Sequence, residues 1–168
     1  ILARHHRRLR QNGIHNAACL VIDVATGEVL AYEGNANEAG REHGNQVDVI
    51  RSRRSTGSIL KPFLYASMLS EGEILPNTLV PDIPTYFGSY SPENYHHNYD
   101  GAVPAHRALA RSLNIPATRM LHKFGHHRFH HQLQEVGMTT LDYPADHYGL
   151  SLVLGGAEAK LWDLAGMY

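Results

Sequence analysis

Residues 55–68, Ser55-Thr56-Gly57-Ser58-Ile59-Leu60-Lys61-Pro62-Phe63-Leu64-Tyr65-Ala66-Ser67-Met68, constrain the chain more than any other stretch. A polar loop ends at Gly57. Leu60, Phe63, Leu64 and Met68 then follow at i, i+3, i+4 and i+8, the spacing of one buried helical stripe. Pro62 suits such a helix because its missing N–H falls in the first turn, and Gly72 supplies a stop. If the helix begins at Ser58, that serine sits at or beside the N-cap and Lys61 lies one turn further on the same face. Two readings are then open. Most serines before helices only cap them, with a solvated lysine following. Alternatively, the positive end of the helix dipole disfavours a protonated amine and favours an alkoxide, so Lys61 could serve as base to a Ser58 nucleophile. The rest of the chain must decide.

Ala17–Val24 is a short apolar run, Ala25-Thr26-Gly27 a turn and Glu28–Tyr32 a return, which together predict a β-hairpin. Its first strand is nearly all apolar, so both faces should be covered, as in a sheet carrying helices. Residues 33–57 form a long polar connection, the kind that is usually functional or mobile. Residues 76–102 are rich in proline and hold Tyr86, Phe87, Tyr90, Tyr95 and Tyr99. They read as a surface loop whose rings either line a groove or pin the loop to the core. Helices are expected from Pro104, over Ala117–Phe124 and over His126–Val136, closed by Gly125 and Gly137. Ser112-Leu113-Asn114 falls on the break between the first two, where polar side chains can project. Gly149–Gly156 reads as a packing element.

A chain of 168 residues, 43% apolar and 18% charged, is globular and long enough for one domain. Its net charge of −1 argues against a nucleic-acid-seeking surface. Arg4, Arg7, Arg8 and Arg10 read as a solvated helix face. Cys19 is the single cysteine, so no internal disulfide forms. No apolar run is long enough to span a bilayer. Residues 1–14 read as the end of a preceding helix and 15–168 as part of a domain. Leu161, Leu164, Ala165 and Tyr168 share a helical face that stops without a cap, so a piece of a longer protein is expected.

Thirteen histidines are unusual. His122, His126 and His130 share a face at i, i+4 and i+8, and such pairs can bind zinc or nickel. No carboxylate or cysteine accompanies them at ligand spacing, so the expectation is a solvated helix face with no metal or other cofactor.

Ser-Xaa-Xaa-Lys and Ser-Xaa-Asn would each occur about once by chance in a chain this long, but their joint context is more specific. Gly57-Ser58-Ile59-Leu60-Lys61-Pro62-Phe63, Arg111-Ser112-Leu113-Asn114-Ile115-Pro116-Ala117, Val21-Ile22-Asp23, Thr26–Tyr32 and Leu154–Glu158 together resemble the transpeptidase domain of class A penicillin-binding proteins, the 1C-type branch above all. The resemblance covers nearly everything from about residue 15 onward. It implies an α+β fold: the N-terminal part of a penicillin-binding-protein/β-lactamase-like domain, a hairpin of an antiparallel sheet plus a helical subdomain, with the C-terminal strands missing.

By position, the resemblance implies that Ser58 is the acylated nucleophile, Lys61 its base, Ser112 a proton relay and Asn114 a contact for the substrate's peptide amide. The Ser58 N–H would be half of an oxyanion hole. Peptidoglycan stem peptides ending in D-Ala-D-Ala would be substrates, and β-lactam antibiotics covalent inhibitors. The implied location is the periplasmic face of a bacterial inner membrane, reached through an anchor outside this chain. The family's third motif, Lys-Thr/Ser-Gly, does not occur here, which implies an inactive piece with an exposed strand edge and hence self-association. Thr56 stands where the family often has proline. A class A β-lactamase is disfavoured because Glu135 and Glu158, the only glutamates after Asn114, lack the context of a deacylating residue. A carboxypeptidase, a non-catalytic β-lactam sensor and a histidine-rich metal module are the competing readings.

Overall fold

In the computed structural model, residues 1–36, 38 and 40–168 are described. The chain divides into two compact units. The first comprises Ile1–Arg54, Gly137–Thr140 and Glu158–Tyr168, the second Ser55–Val136 and Leu141–Ala157. Both mix helices with small antiparallel sheets, which makes the fold α+β as the sequence implies.

In the first unit, α1 (Leu2–Leu9) precedes a hairpin of β1 (Cys19–Ile22) and β2 (Val29–Glu33). Cys19 pairs with Glu33 and Val21 with Ala31, and a bulge separates Val21 from Ile22. The turn is closed by Asp23, whose carboxylate accepts the Ala25 and Thr26 N–H groups and the Thr26 hydroxyl. Gly27 follows at φ +72°, a left-handed angle that glycine adopts without strain. Those hydrogen bonds hold the Asp23 carboxyl below its usual pKa, the Thr26 N–H contributing most. The expectation that both strand faces are covered fails. β1 is half-buried and β2 exposed throughout, because α7 (Leu161–Met167) is the helix packed on β1.

The long polar connection is tied down within this unit. Buried Asn35 donates to Asn16 and to the Gly44 and Val47 carbonyls, and its own oxygen accepts the Ala36 N–H. Ile50 is fully buried and its carbonyl accepts the Trp162 N–H. The segment ends in a two-residue strand, β3 (Arg54–Ser55).

The second unit is built on helices. α2 (Lys61–Ser70) buries Leu60, Leu64, Tyr65 and Met68, close to the expected stripe, and ends with Gly72 at φ +71°. α3 (Ala105–Ala110) follows Pro104 and α5 (His126–Glu135) runs between Gly125 and Gly137 as expected, whereas α4 (Asn114–Phe124) begins three residues before the expected Ala117, with Pro116 inside its first turn. α4 is the hub: Ile115, Ala117, Thr118 and Leu121 are fully buried, and it packs against α2, α3, α5 and the 3-10 turn Gly149–Leu154. A four-residue helix, α6 (Ala145–Tyr148), leads into that turn.

Residues 76–102 are more regular than expected. β4 (Leu79–Asp82) pairs antiparallel with β5 (Gly101–Pro104), bracketing an excursion of residues 83–100. Tyr86 and Tyr95 point outward, while Phe87 lies 4.7 Å from the His122 ring. A last two-residue strand, β6 (Glu158–Ala159), belongs to the first unit.

Candidate active site

The loop that delivers Ser58 is fastened to residues 155–157 of its own unit. Thr56 donates its N–H and its hydroxyl to the Ala157 carbonyl, and the Ser55 hydroxyl donates to the Gly155 carbonyl. A proline at position 56 would lack the first of these bonds. Gly155 approaches so closely that a Cβ there would sit 2.8 Å from the Gly57 backbone. The segment Gly149–Gly156 thus positions the strand-to-helix turn.

Ser58 is not the helix cap that the apolar pattern suggests. Residues 57–60 form a turn in which Lys61 N–H bonds to the Ser58 carbonyl, and Leu60 is the N-cap of α2. Among the described residues neither the Ser58 hydroxyl nor its N–H has a hydrogen-bond partner. Its half-buried side chain lines a cavity of about 530 Å³ together with Asn94, Tyr95, Arg111, Ser112 and Asn114. A larger cavity of about 760 Å³ in the same unit, between Ile74, Val80, Phe87 and Met120, holds none of the four sequence-selected residues.

The structure joins three of those four. Lys61 is only 1% exposed, and its ammonium donates to Asn114 Oδ1 at 2.7 Å, Ser112 O at 2.7 Å and Ser112 Oγ at 3.2 Å. Three donors meet three acceptors, so the buried cation is fully satisfied. Burial pushes its pKa down from 10.5 to about 8. Among the described residues the Lys61 ammonium makes no hydrogen bond to the Ser58 hydroxyl.

Ser112 can face Lys61 because of how α3 ends. Leu113 N–H bonds to Ala108 O and Ser112 N–H to Leu109 O, the two bonds of a Schellman motif. That motif places Ser112 at the left-handed C′ position, normally glycine, with φ +53°. A side chain there costs about 1 kcal/mol, and the conformation aims both the carbonyl and the hydroxyl of Ser112 at one amine. Ser112→Gly and Ser112→Ala both take the hydroxyl away from the Lys61 ammonium and only glycine relieves the strain, so the glycine variant should be the more stable of the two by about 1 kcal/mol. Urea unfolding of the two variants tests this. Equal stability of the two variants, or a less stable glycine variant, would contradict this account of the strain.

Asn114 is the first residue of α4, not part of the preceding break, and Asn94 holds it there. Asn94 is 3% exposed; its oxygen accepts the Asn114 and Ile115 N–H groups, and its amide donates to Asp82 Oδ1 at 2.7 Å and to Asn98 O. The fully buried Asp82 carboxylate also accepts the Asp100 N–H, and Asp100 pairs with Arg111. Sequence reasoning missed Asn94 and Asp82; their one local signal is the strand pairing of residues 79–82 with 101–104, which closes the excursion. Asn94→Ala would strand a buried carboxylate oxygen and two helix N–H groups. It should lower stability by about 3 kcal/mol in urea unfolding, whereas a loss under about 0.5 kcal/mol would show that Asn94 is dispensable.

Comparison with known proteins identifies the family of the chain. Residues 17–165 match the family model described as penicillin binding protein transpeptidase domain. The chain is 38% identical over 151 residues to penicillin-binding protein 1C of Escherichia coli (strain K12), covering 90% of this chain and 20% of that protein. It is 30% identical over 159 residues to penicillin-binding protein 1B of Vibrio cholerae, covering 90% and 20%. The crystal structure of penicillin-binding protein 1A from Haemophilus influenzae superposes with a TM-score of 0.75 at 25% identity, over 89% of this chain and 22% of that one. PonA1 of Mycobacterium tuberculosis, solved also in complex with penicillin V, gives 0.77 at 24% identity over 99% and 45%, a likeness of fold. The chain belongs to the penicillin binding protein transpeptidase family, in its class A branch. It spans about a fifth of the length of the curated relatives it matches.

Proposed function

We propose that these residues supply the nucleophile side of a serine DD-transpeptidase. The observation that supports this most is the buried Lys61 amine bonded to Ser112 and Asn114 beside the cavity that Ser58 lines. Neutral Lys61 would take the Ser58 Oγ proton, directly or through the Ser112 hydroxyl, as the oxygen attacks the D-Ala-D-Ala amide carbonyl. The C–N bond breaks, the leaving D-alanine receives the proton, and the acyl group is held as an ester on Ser58. An amine of a neighbouring stem peptide then attacks that ester and regenerates the hydroxyl. The unpartnered Ser58 N–H suits one oxyanion donor, and Asn114 suits the substrate's peptide amide. A β-lactam would enter by the same first step and remain bound.

The second oxyanion donor and the cationic contact for the substrate carboxylate belong to the family's Lys-Thr/Ser-Gly strand, and the 168 residues hold no such triplet. The isolated polypeptide should accordingly stay unlabelled by fluorescent penicillin, while the parent protein is labelled. Efficient labelling of the isolated polypeptide would refute this. The domain portion is assigned to residues 15–168, following the end of an earlier helix at 1–14, and the location to the outer face of a bacterial inner membrane. No helix among the described residues is long and apolar enough to cross a membrane. The exposed β2, with Val29, Leu30 and Tyr32 on its surface, favours self-association of the isolated polypeptide. Light scattering at micromolar concentration should give a mass above 18.7 kDa; a monomer would count against it.

The same machinery could hydrolyse the acyl group, as a carboxypeptidase, or retain it, as a β-lactam sensor. Product release with and without an acceptor amine separates these from transfer.

A further inference from the structure

The histidine-rich helix has a feature that sequence spacing conceals. The expected face of His122, His126 and His130 is broken at Gly125: His122 lies on α4 against Phe87, while on α5 buried His130 bonds to the Tyr143 carbonyl and His131 pairs with Glu135. Instead the consecutive His126 and His127 converge on a carboxylate from α6, twenty residues away, each placing Nε2 2.8 Å from Asp146 Oδ1. One ligand atom from each of the three lies within 4.8 Å of the others.

We propose that His126, His127 and Asp146 form a binding site for a divalent first-row cation, zinc above all. Two imidazoles and one carboxylate are donors that zinc accepts, and a tetrahedral ion with bonds near 2.0–2.1 Å needs donor atoms about 3.3 Å apart. The two nitrogen-to-oxygen spacings of 2.8 Å fall about half an ångström short of that value and the third spacing is within 4.8 Å, so shifts of about an ångström would seat the ion. Side-chain exposures of 67% for His127 and 74% for Asp146 leave room for that shift and for water as the fourth ligand. Deeper-set His126, at 29%, fixes the inner edge. In the metal-free arrangement a proton on each imidazole bridges to the same carboxylate oxygen; the cation replaces both. The positive end of α5 opposes a cation here, so the site depends on the Asp146 charge more than on either imidazole. A bound ion would clamp the start of α5 to α6.

The test is calorimetric titration of the untagged 168-residue chain with zinc chloride, paired with thermal melting. The expected result is one ion bound per chain with a raised melting midpoint. His127→Asn should weaken binding at least tenfold, Asp146→Asn should weaken it more, and both should lose the midpoint shift. His131→Gln, whose residue belongs to the same helix but not the site, should titrate as wild type. Circular dichroism confirms that the exposed substitutions leave the fold intact. Wild-type-like zinc binding by Asp146→Asn and His127→Asn, or no saturable binding by the wild type, overturns the proposal.

Discussion

Ser58→Ala in the parent protein is expected to abolish covalent labelling by penicillin, with an acylation rate reduced on the order of 10⁴-fold or more. The neighbouring serine hydroxyls are already engaged: Ser112 with Lys61, and Ser55 with the Gly155 carbonyl. The same substitution should leave stability within about 0.5 kcal/mol, because the Ser58 side chain is half-buried and makes no hydrogen bond. Labelling kinetics and a melting curve on one preparation give both numbers. Residual labelling near the wild-type rate would remove Ser58 from the mechanism. A large loss of stability would mean that the lost activity reports folding instead.

Lys61→Ala is the second large effect. A positioned general base contributes about 10²–10⁴-fold, and Lys61 also holds Ser112 and Asn114, so in the proposed role its removal should slow acylation by at least about 10³-fold. The pH profile carries the finer information. Lys61 acts as a base only when neutral, and burial brings its pKa to about 8. Acylation should therefore rise about tenfold per pH unit below about 8 and level off above it. Stability moves the same way over a different window. Below about 8 the amine is protonated in both the folded and unfolded states, and the cost of burying the charge is borne in full. Between about 8 and 10.5 the folded state loses its proton first, the unfolded state binds more protons, and this group's contribution to stability rises with pH. A flat acylation profile between pH 6 and 8 would deny Lys61 the role of base.

Local chemistry made much of the fold legible. The hairpin turn at Asp23–Gly27, the stripe of α2, the Pro104 start of α3 and the glycine stops of α4 and α5 are each set by residues a few positions apart. What escaped depends on distant partners. Lysine reads as a surface residue, and only the convergence of Ser112 and Asn114 explains how Lys61 is buried. Ser112 in a glycine-type position gives no sequence signal, because nothing in Arg111-Ser112-Leu113 marks a left-handed residue. The start of α2 was displaced from Ser58 by three residues because that serine turns toward a cavity and caps nothing. Asp82 and Asn94 meet only once β4 and β5 pair, and Asp146 reaches α5 only across a tertiary contact.

The central claim is that Ser58 is the residue acylated. The most direct test is peptide mapping by mass spectrometry of the parent protein, containing these residues and the Lys-Thr/Ser-Gly strand, after brief exposure to penicillin. The account predicts one penicilloyl adduct, on the peptide holding Gly57-Ser58-Ile59, and none after Ser58→Ala. An adduct on Ser112 or elsewhere with Ser58 unmodified, or no adduct at all, would contradict it.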